Sequence, residues 1–298
     1  MKDKKDVKKG KEISEKKLGL FMITPTMLII LLTAVIPIIY VLYLSTQDIR
    51  GIMNQGFVGL DNYRTIIESG NLQSALVATL LFGFGAIVFQ MVAAMIIALA
   101  LNVDFKGKNV VRSLILIPWA IPTALVGVMW TRFLSSTDGY FNATLRLLGL
   151  ASGEVNWFLN RWTAIFMVIL VDSWKFTPIF VMIFLAGLQA IPKSFYEAAL
   201  VDGANRVQQF FHLTLPIMKP VIMVALIMRT IFIFHAFDLI FILTRGGPGG
   251  ATRVLSYYTY QESFQFLRHG RGSAVAFILF ILTAIVTVGY IKVLREKE

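Results

Sequence analysis

Six long apolar runs alternate with short polar segments along the 298 residues: Leu18–Leu44, Ala75–Leu101, Val110–Leu134, Trp162–Leu188, Ile217–Leu243 and Ser273–Leu294. Each is long enough to cross a bilayer, which takes about 20 predominantly apolar residues at ~1.5 Å rise per residue. The runs are too long for barrel strands and lack the period-two alternation of a lipid-facing barrel. The pattern predicts an all-α polytopic membrane protein of six transmembrane helices. Between the fourth and fifth runs lies a polar island, EAALVDGANRVQQFFHLTLP, from Glu197 to Pro216. A polar, helix-prone loop in that position is predicted to form a short helix that meets a protein partner rather than lipid.

Prolines interrupt several runs: Pro25 and Pro37 in the first, Pro118 and Pro122 in the third, Pro178 in the fourth and Pro220 near the start of the fifth. Each interior proline removes a backbone hydrogen bond and tends to kink its helix. In lipid the freed carbonyls must find donors on neighbouring helices, whether the kink serves packing or a hinge. Charges also sit at membrane depth: Asp172 and Lys175 in the fourth run, Arg229 in the fifth. Such groups normally face a cavity or a partner. Asp172 and Lys175 are spaced i, i+3 on one helix face, so they are expected to neutralise each other, as a structural ion pair or as part of a path. Arg229 has no partner on its own helix, since Asp238 is nine residues away near the opposite face, and is expected to need a neighbouring helix or a watery cavity. His235 and Asp238 share a face among Phe232, Phe234, Phe237 and Phe241. That mixture of aromatic surface and polar groups suits a sugar ring, although aromatics at helical spacing also serve simple packing.

Composition agrees with lipid as the main solvent: 57% hydrophobic, 15% charged, mean hydropathy +0.72, against roughly 25% charged residues in soluble domains. The net charge of +11 arises largely from eight lysines in the first seventeen residues. That tail has no aromatic residue to stack on a base, which favours a membrane-surface tail over a nucleic-acid arm. The chain therefore divides into a basic tail, 1–17, and a membrane domain, 18–298. Leu18–Leu44 is far longer than the roughly 7–15 apolar residues of a cleaved signal peptide and reads as a retained anchor. With six spans both termini share one side, which also holds the short loops after the second and fourth runs. Seventeen Lys and Arg residues fall there against nine on the other side. Basic residues are retained in the cytoplasm, so both termini and the island are predicted to be cytoplasmic. Cysteine is absent, and His212, His235 and His269 are too scattered to suggest a metal site.

The island resembles the EAA loop of binding-protein-dependent ABC importer permeases: Glu197, Ala198 and Ala199, then Gly203, Leu213, Leu215 and Pro216 at the family spacing. Leu213 stands where isoleucine is usual. The resemblance extends upstream through Gly187–Ala204 with Trp174, Thr177 and Pro178. It also covers IPWAIP (Ile117–Pro122) with Trp130, and FDLIFILTRGGPGGAT (Phe237–Thr252), and is closest to the carbohydrate-type, maltose-transporter F-like subfamily. The Gly246–Gly250 stretch reads by itself as a turn, and no Lys-Ser or Lys-Thr follows to make it a phosphate loop.

The resemblance implies a membrane-spanning permease subunit, not an enzyme, of an ATP-driven importer in a prokaryotic cell membrane. Its cargo would be a sugar, oligosaccharide or related polyol. It implies a second permease subunit, two cytoplasmic ATPase subunits and an extracytoplasmic solute-binding protein as partners. ATP and Mg are implied to bind to the ATPase subunits, since this chain has no G-x-x-x-x-G-K-[ST]. Coupling is expected through the loop at 189–216, by Glu197, Ala198, Ala199, Asp202, Gly203, Ala204, Leu215 and Pro216, with Glu197 anchoring its polar contacts. Alanines favour a short low-profile helix, Gly203 a break, and Pro216 the start of the following helix. Residues for a translocation path are Asp172, Trp174, Lys175, Arg229, Phe234, His235, Phe237 and Asp238. An ion-coupled secondary transporter would share the spans and buried charges without needing the loop. A membrane-embedded enzyme would need a nucleophile and base arrangement, and none is recognisable.

Overall fold

The computed structural model describes residues 15–151, 153–234 and 236–295; most of the basic tail and His235 fall outside the described residues. Among the described residues, five helices are long and apolar enough to cross a membrane: Gly19–Ser45, Asn71–Leu101, Arg161–Gln189, Arg206–Phe234 and His269–Tyr290. They correspond to the first, second, fourth, fifth and sixth apolar runs. The third run, whose prolines are expected to kink it, is broken rather than continuous over Val110–Leu134. It is a pair, Lys108–Ala120 and Thr123–Phe133, bent by 91°. Pro122 is the cause: its ring excludes the helical region for the residue before it, and Ile121 is extended at φ −72°, ψ 132°.

The fifth span also differs from the expected Ile217–Leu243. It begins eleven residues earlier, at Arg206, because Asn205 and Gln208 form a capping box that starts a helix inside the island. Pro216 therefore lies within the helix rather than at its start. In a regular α-helix its ring would press on the carbonyl of His212, four residues back. The helix widens into a π turn over Phe210–Thr214 immediately ahead of it, which relieves that contact. The first span does the same, with a π turn at Leu31–Val35 two residues before Pro37. At its other end the fifth span stops at Phe234, and a separate short helix, Asp238–Leu243, follows. Ser256 Oγ donates to the Ala236 carbonyl in this break at 2.6 Å.

The second and fourth spans pack along their length at the centre, with the fifth against both. Small residues make the approach possible, as in other lipid-embedded helix pairs. The inner face of the second span carries Ala75, Ala78, Ala86, Ala94 and Ala98, all buried, and Gln90 among them. The sixth span packs on the fifth and on the half of the first that follows its π turn. The earlier half of the first span is exposed along its length.

At the end of the bundle opposite the island, a two-stranded antiparallel hairpin, β1 (Gln47–Arg50) and β2 (Met53–Phe57), interrupts the all-helical pattern. Asn62 Nδ2 donates to the carbonyls of Ser45 (2.9 Å) and Gln47 (2.8 Å), tying the hairpin to the end of the first span. Gly270, in the first turn of the sixth span, lies so close that a Cβ there would run into the Gln47 carbonyl oxygen and the Asn62 amide. The predicted Gly246–Gly250 turn is present, with φ of 77° at Gly246, 54° at Gly249 and 86° at Gly250.

Overpacking against backbone costs roughly 1–3 kcal/mol. Gly270→Ala should therefore lower the thermal unfolding midpoint of the detergent-solubilised protein. Gly289→Ala, on the same helix with open space beside it, should not. Equal midpoints for the two variants would contradict the packing described.

Candidate functional site

Asp172 and Arg229, on the fourth and fifth spans, form an ion pair with both side chains 1% exposed. The partner that Arg229 lacked on its own helix is thus supplied by the neighbouring one. Gln90 of the second span completes the arrangement, with Nε2 donating to Asp172 Oδ2 at 2.7 Å and to Ser173 Oγ at 3.3 Å. Three spans therefore meet on one carboxylate. Lys175 makes no direct salt bridge to Asp172, the contact its i, i+3 spacing allowed. Its Nζ donates to the carbonyls of Trp119 (3.2 Å) and Ile121, at the break in the third run. The helix ends at Ala120, so these carbonyls have no helical N–H to accept from, and bare carbonyls in an apolar medium bind a cation strongly. Phe176 lies beneath both cations, with its ring centroid 4.9 Å from the Arg229 guanidinium carbon and 5.2 Å from Lys175 Nζ.

Beside this cluster opens a cavity of about 450 Å³. Its polar lining comes from Asp172, Asp238 and Thr123, its aromatic lining from Phe176, Phe232 and Phe237. Phe176 and Phe232 stack at 6.3 Å with 22° between ring planes. Faces of aromatic rings beside a few hydrogen-bonding groups are what a polyhydroxylated ring needs, and a cavity of this size is in the usual range for small-molecule sites.

The island forms a second, separate element. Its helix runs Lys193–Val201, beginning four residues before Glu197. Gly203 ends it in the left-handed region at φ 79°. The Ala204 N–H reaches the Ala199 carbonyl (2.9 Å) and the Gly203 N–H the Leu200 carbonyl (3.1 Å), a Schellman cap. The capping box follows at once, with Asn205 and Gln208 exchanging bonds of 2.8 and 2.9 Å. Gln209 Nε2 adds a bond to the Ala204 carbonyl at 2.9 Å. Helix, turn and fifth span are thus joined without slack. The outer surface is bare: Phe195, Leu200 and Val207 are exposed, Val201 is 88% exposed, and Glu197 carries no hydrogen bond or ion pair to the described residues. Ala198, Asp202, Gly203 and Pro216 are exposed; Ala199, Ala204 and Leu215 are half-buried.

Residues 90–294 match the model of a family described as the binding-protein-dependent transport system inner membrane component. The chain belongs to that family. This permease is 38% identical over 285 residues to the trehalose/maltose transport system permease protein MalF of Thermococcus litoralis, covering 95% of this chain and 96% of that one. It is 32% identical over 289 residues to the sulfoquinovosyl glycerol transport system permease protein SmoG of Agrobacterium fabrum, covering 96% and 93%. It also superposes with a TM-score of 0.81, at 25% identity, on a chain of a bacterial ABC transporter involved in the import of the acidic polysaccharide alginate, covering 94% and 96%.

Of the path residues expected from sequence, the permease brings Asp172, Phe237 and Asp238 to the cavity and sets Lys175 and Arg229 behind Phe176. Trp174 turns away, packing edge-on against Trp130 at 5.7 Å and lining a different groove of about 410 Å³. Phe234 is buried in the core, and His235 lies outside the described residues. Sequence reasoning missed Gln90, Phe176 and Thr123. Gln90 had a signal: past the first turn it is the lone amide in the 31-residue second span, and polar groups at that depth are seldom idle.

Leaving one member of a buried pair uncompensated costs about 3–5 kcal/mol. Arg229→Met should lower the unfolding midpoint markedly, and adding Asp172→Asn should recover most of the loss. A single variant as stable as the parent protein would contradict the ion pair's place in the core.

Proposed function

We propose that this permease forms half of the translocation path of an ATP-driven importer for a sugar, oligosaccharide or related polyol. It receives the force of ATP hydrolysis through the loop at 189–216. The observation that carries the proposal is the island's construction: an exposed helix with a bare apolar surface, capped and locked to a span that runs to the Asp172–Arg229 cluster and its cavity. A helix free to swing would dissipate motion imposed at its surface; this one passes it on to the fifth span. The relatives named for trehalose, maltose and sulfoquinovosyl glycerol support a carbohydrate cargo, as does the aromatic and carboxylate lining of the cavity.

In this reading the bent pair at the third run counts as one crossing, giving six, with both termini and the island in the cytoplasm. The exposed helix Lys193–Val201 seats in a groove of a cytoplasmic ATPase subunit, one of two, which bind the ATP and Mg. Glu197, Ala198, Ala199, Asp202, Gly203 and Ala204 form the contact and its hinge-free cap, while Leu215 and Pro216 root it in the fifth span. A second permease subunit supplies the other half of the path, and an extracytoplasmic binding protein delivers the solute. Closure of the ATPase pair brings the loops together and rocks the attached spans between inward and outward openings.

Gly203→Val places a β-branched side chain in the left-handed region, at a strain of about 1–2 kcal/mol. In the complete transporter reconstituted into vesicles, Gly203→Val and Glu197→Ala should each cut ATP-driven sugar uptake by about tenfold, in the usual range of coupling free energies. Membrane insertion should be unchanged. Unaltered uptake in both variants contradicts the coupling role, and uptake driven by a sodium or proton gradient without ATPase subunits would favour an ion-coupled carrier.

A further inference from the structure

The π turn at Phe210–Thr214 is a weak place in an otherwise continuous lever. A π turn relaxes the regular hydrogen-bond ladder, and Pro216 contributes no N–H just beyond it. Motion imposed on the helix Lys193–Val201 has to cross this turn to reach the membrane-embedded part of the fifth span. One side-chain contact bypasses it. Tyr196, the residue before Glu197, places its hydroxyl 3.0 Å from Thr214 Oγ1, at the end of the π turn. Thr214 is buried, at 3% exposure, and its Oγ1 also donates to the Gln209 carbonyl at 3.3 Å. A threonine hydroxyl has one hydrogen to give, so in this arrangement Tyr196 is the donor and Thr214 the acceptor. The tyrosine ring itself is half-buried and packs against the cluster that contains Leu188, Ile191 and Met218. The same cluster is tight: a Cβ at Gly187 would come within 2.8 Å of Met218 Sδ.

We propose that Tyr196 is a positioning residue that braces the coupling helix directly against the fifth span through Thr214, so that helix and span move as one body across the π turn. The proposal rests on the coupling role given above to the loop. It goes beyond the backbone connection, because it assigns the transmission of movement to a hydroxyl pair that the EAA pattern does not specify. In that pattern Thr214 occupies the unspecified position between Leu213 and Leu215.

The test uses the complete transporter in vesicles, with solute uptake and ATP hydrolysis measured together. Tyr196→Phe keeps the ring and removes the hydroxyl. It should lower the solute imported per ATP hydrolysed by about fivefold, the weight of one hydrogen bond, with hydrolysis continuing and the thermal unfolding midpoint lowered by no more than the few degrees that one hydrogen bond accounts for. Thr214→Val should do the same, Thr214→Ser should retain coupling, and the double variant Tyr196→Phe with Thr214→Val should be no worse than either single change, as expected for two halves of one contact. An unchanged import-to-hydrolysis ratio in Tyr196→Phe overturns the brace. So do strictly additive losses, or a loss of uptake that merely follows a lowered midpoint. Gly203→Val serves as the control for the underlying reading: if it impairs uptake and Tyr196→Phe does not, the brace alone fails, and if neither does, the coupling role and the brace fail together.

Discussion

A carboxylate buried in a lipid-embedded bundle is tolerable only where cations and donors surround it, and Asp172 gathers them from two neighbouring spans. Arg229 brings a charge from the fifth span and Gln90 an amide from the second. Because each group would be left exposed to an apolar surrounding if its helix moved away, the cluster fixes the relative register of three spans at one depth. The alanine face of the second span lets the backbones close in around it. The cavity lies at this fixed point, with Asp172 belonging to both the cluster and the lining.

A second demand of the same kind comes from the backbone. Pro122 breaks the third run and frees two carbonyls, and Lys175 spends its charge on them. The break and the lysine therefore explain each other: neither would be stable in hydrocarbon without its partner. The fifth span is the element on which both halves of the molecule converge. It holds Arg229 in its last two turns, borders the cavity at Ile231 and Phe232, and is rooted in the capped, exposed helix of the island. The island helix is in this way connected along one span to the ion-pair cluster.

Much of this was legible in the sequence, because lipid imposes few and strict conditions. Run lengths marked the spans, and the isolated charges announced that partners were needed. Which partner was not legible. Spacing favoured Asp172 with Lys175, but helix-face geometry describes only neighbours on one helix, while the stronger competitors, Arg229 and the bare carbonyls at Trp119 and Ile121, arrive from other helices. Boundaries failed where composition is blind to backbone geometry. The apolar character of Ile217–Leu243 continues through the break after Phe234, and a π turn that shelters Pro216 leaves no mark in hydropathy. The true start at Arg206 was readable, since Asn205 and Gln208 stand at capping-box spacing. The island was marked by its motif, yet what holds it in place is the Gly203 turn, the Asn205–Gln208 capping box and the Tyr196–Thr214 contact, of which the motif names only Gly203.

The central claim is that the island helix and the fifth span form one rigid lever. The chain contains no cysteine, so spin labels can be placed on pairs of introduced cysteines at Ser194 with Val207, and at Val207 with Phe105 in the neighbouring loop, and their distances followed by electron paramagnetic resonance in the complete reconstituted transporter. On ATP binding the separation between 194 and 207 should stay fixed while that between 207 and 105 changes, because the lever moves as a unit against the second span. A changing 194–207 distance with a constant 207–105 distance would contradict the account.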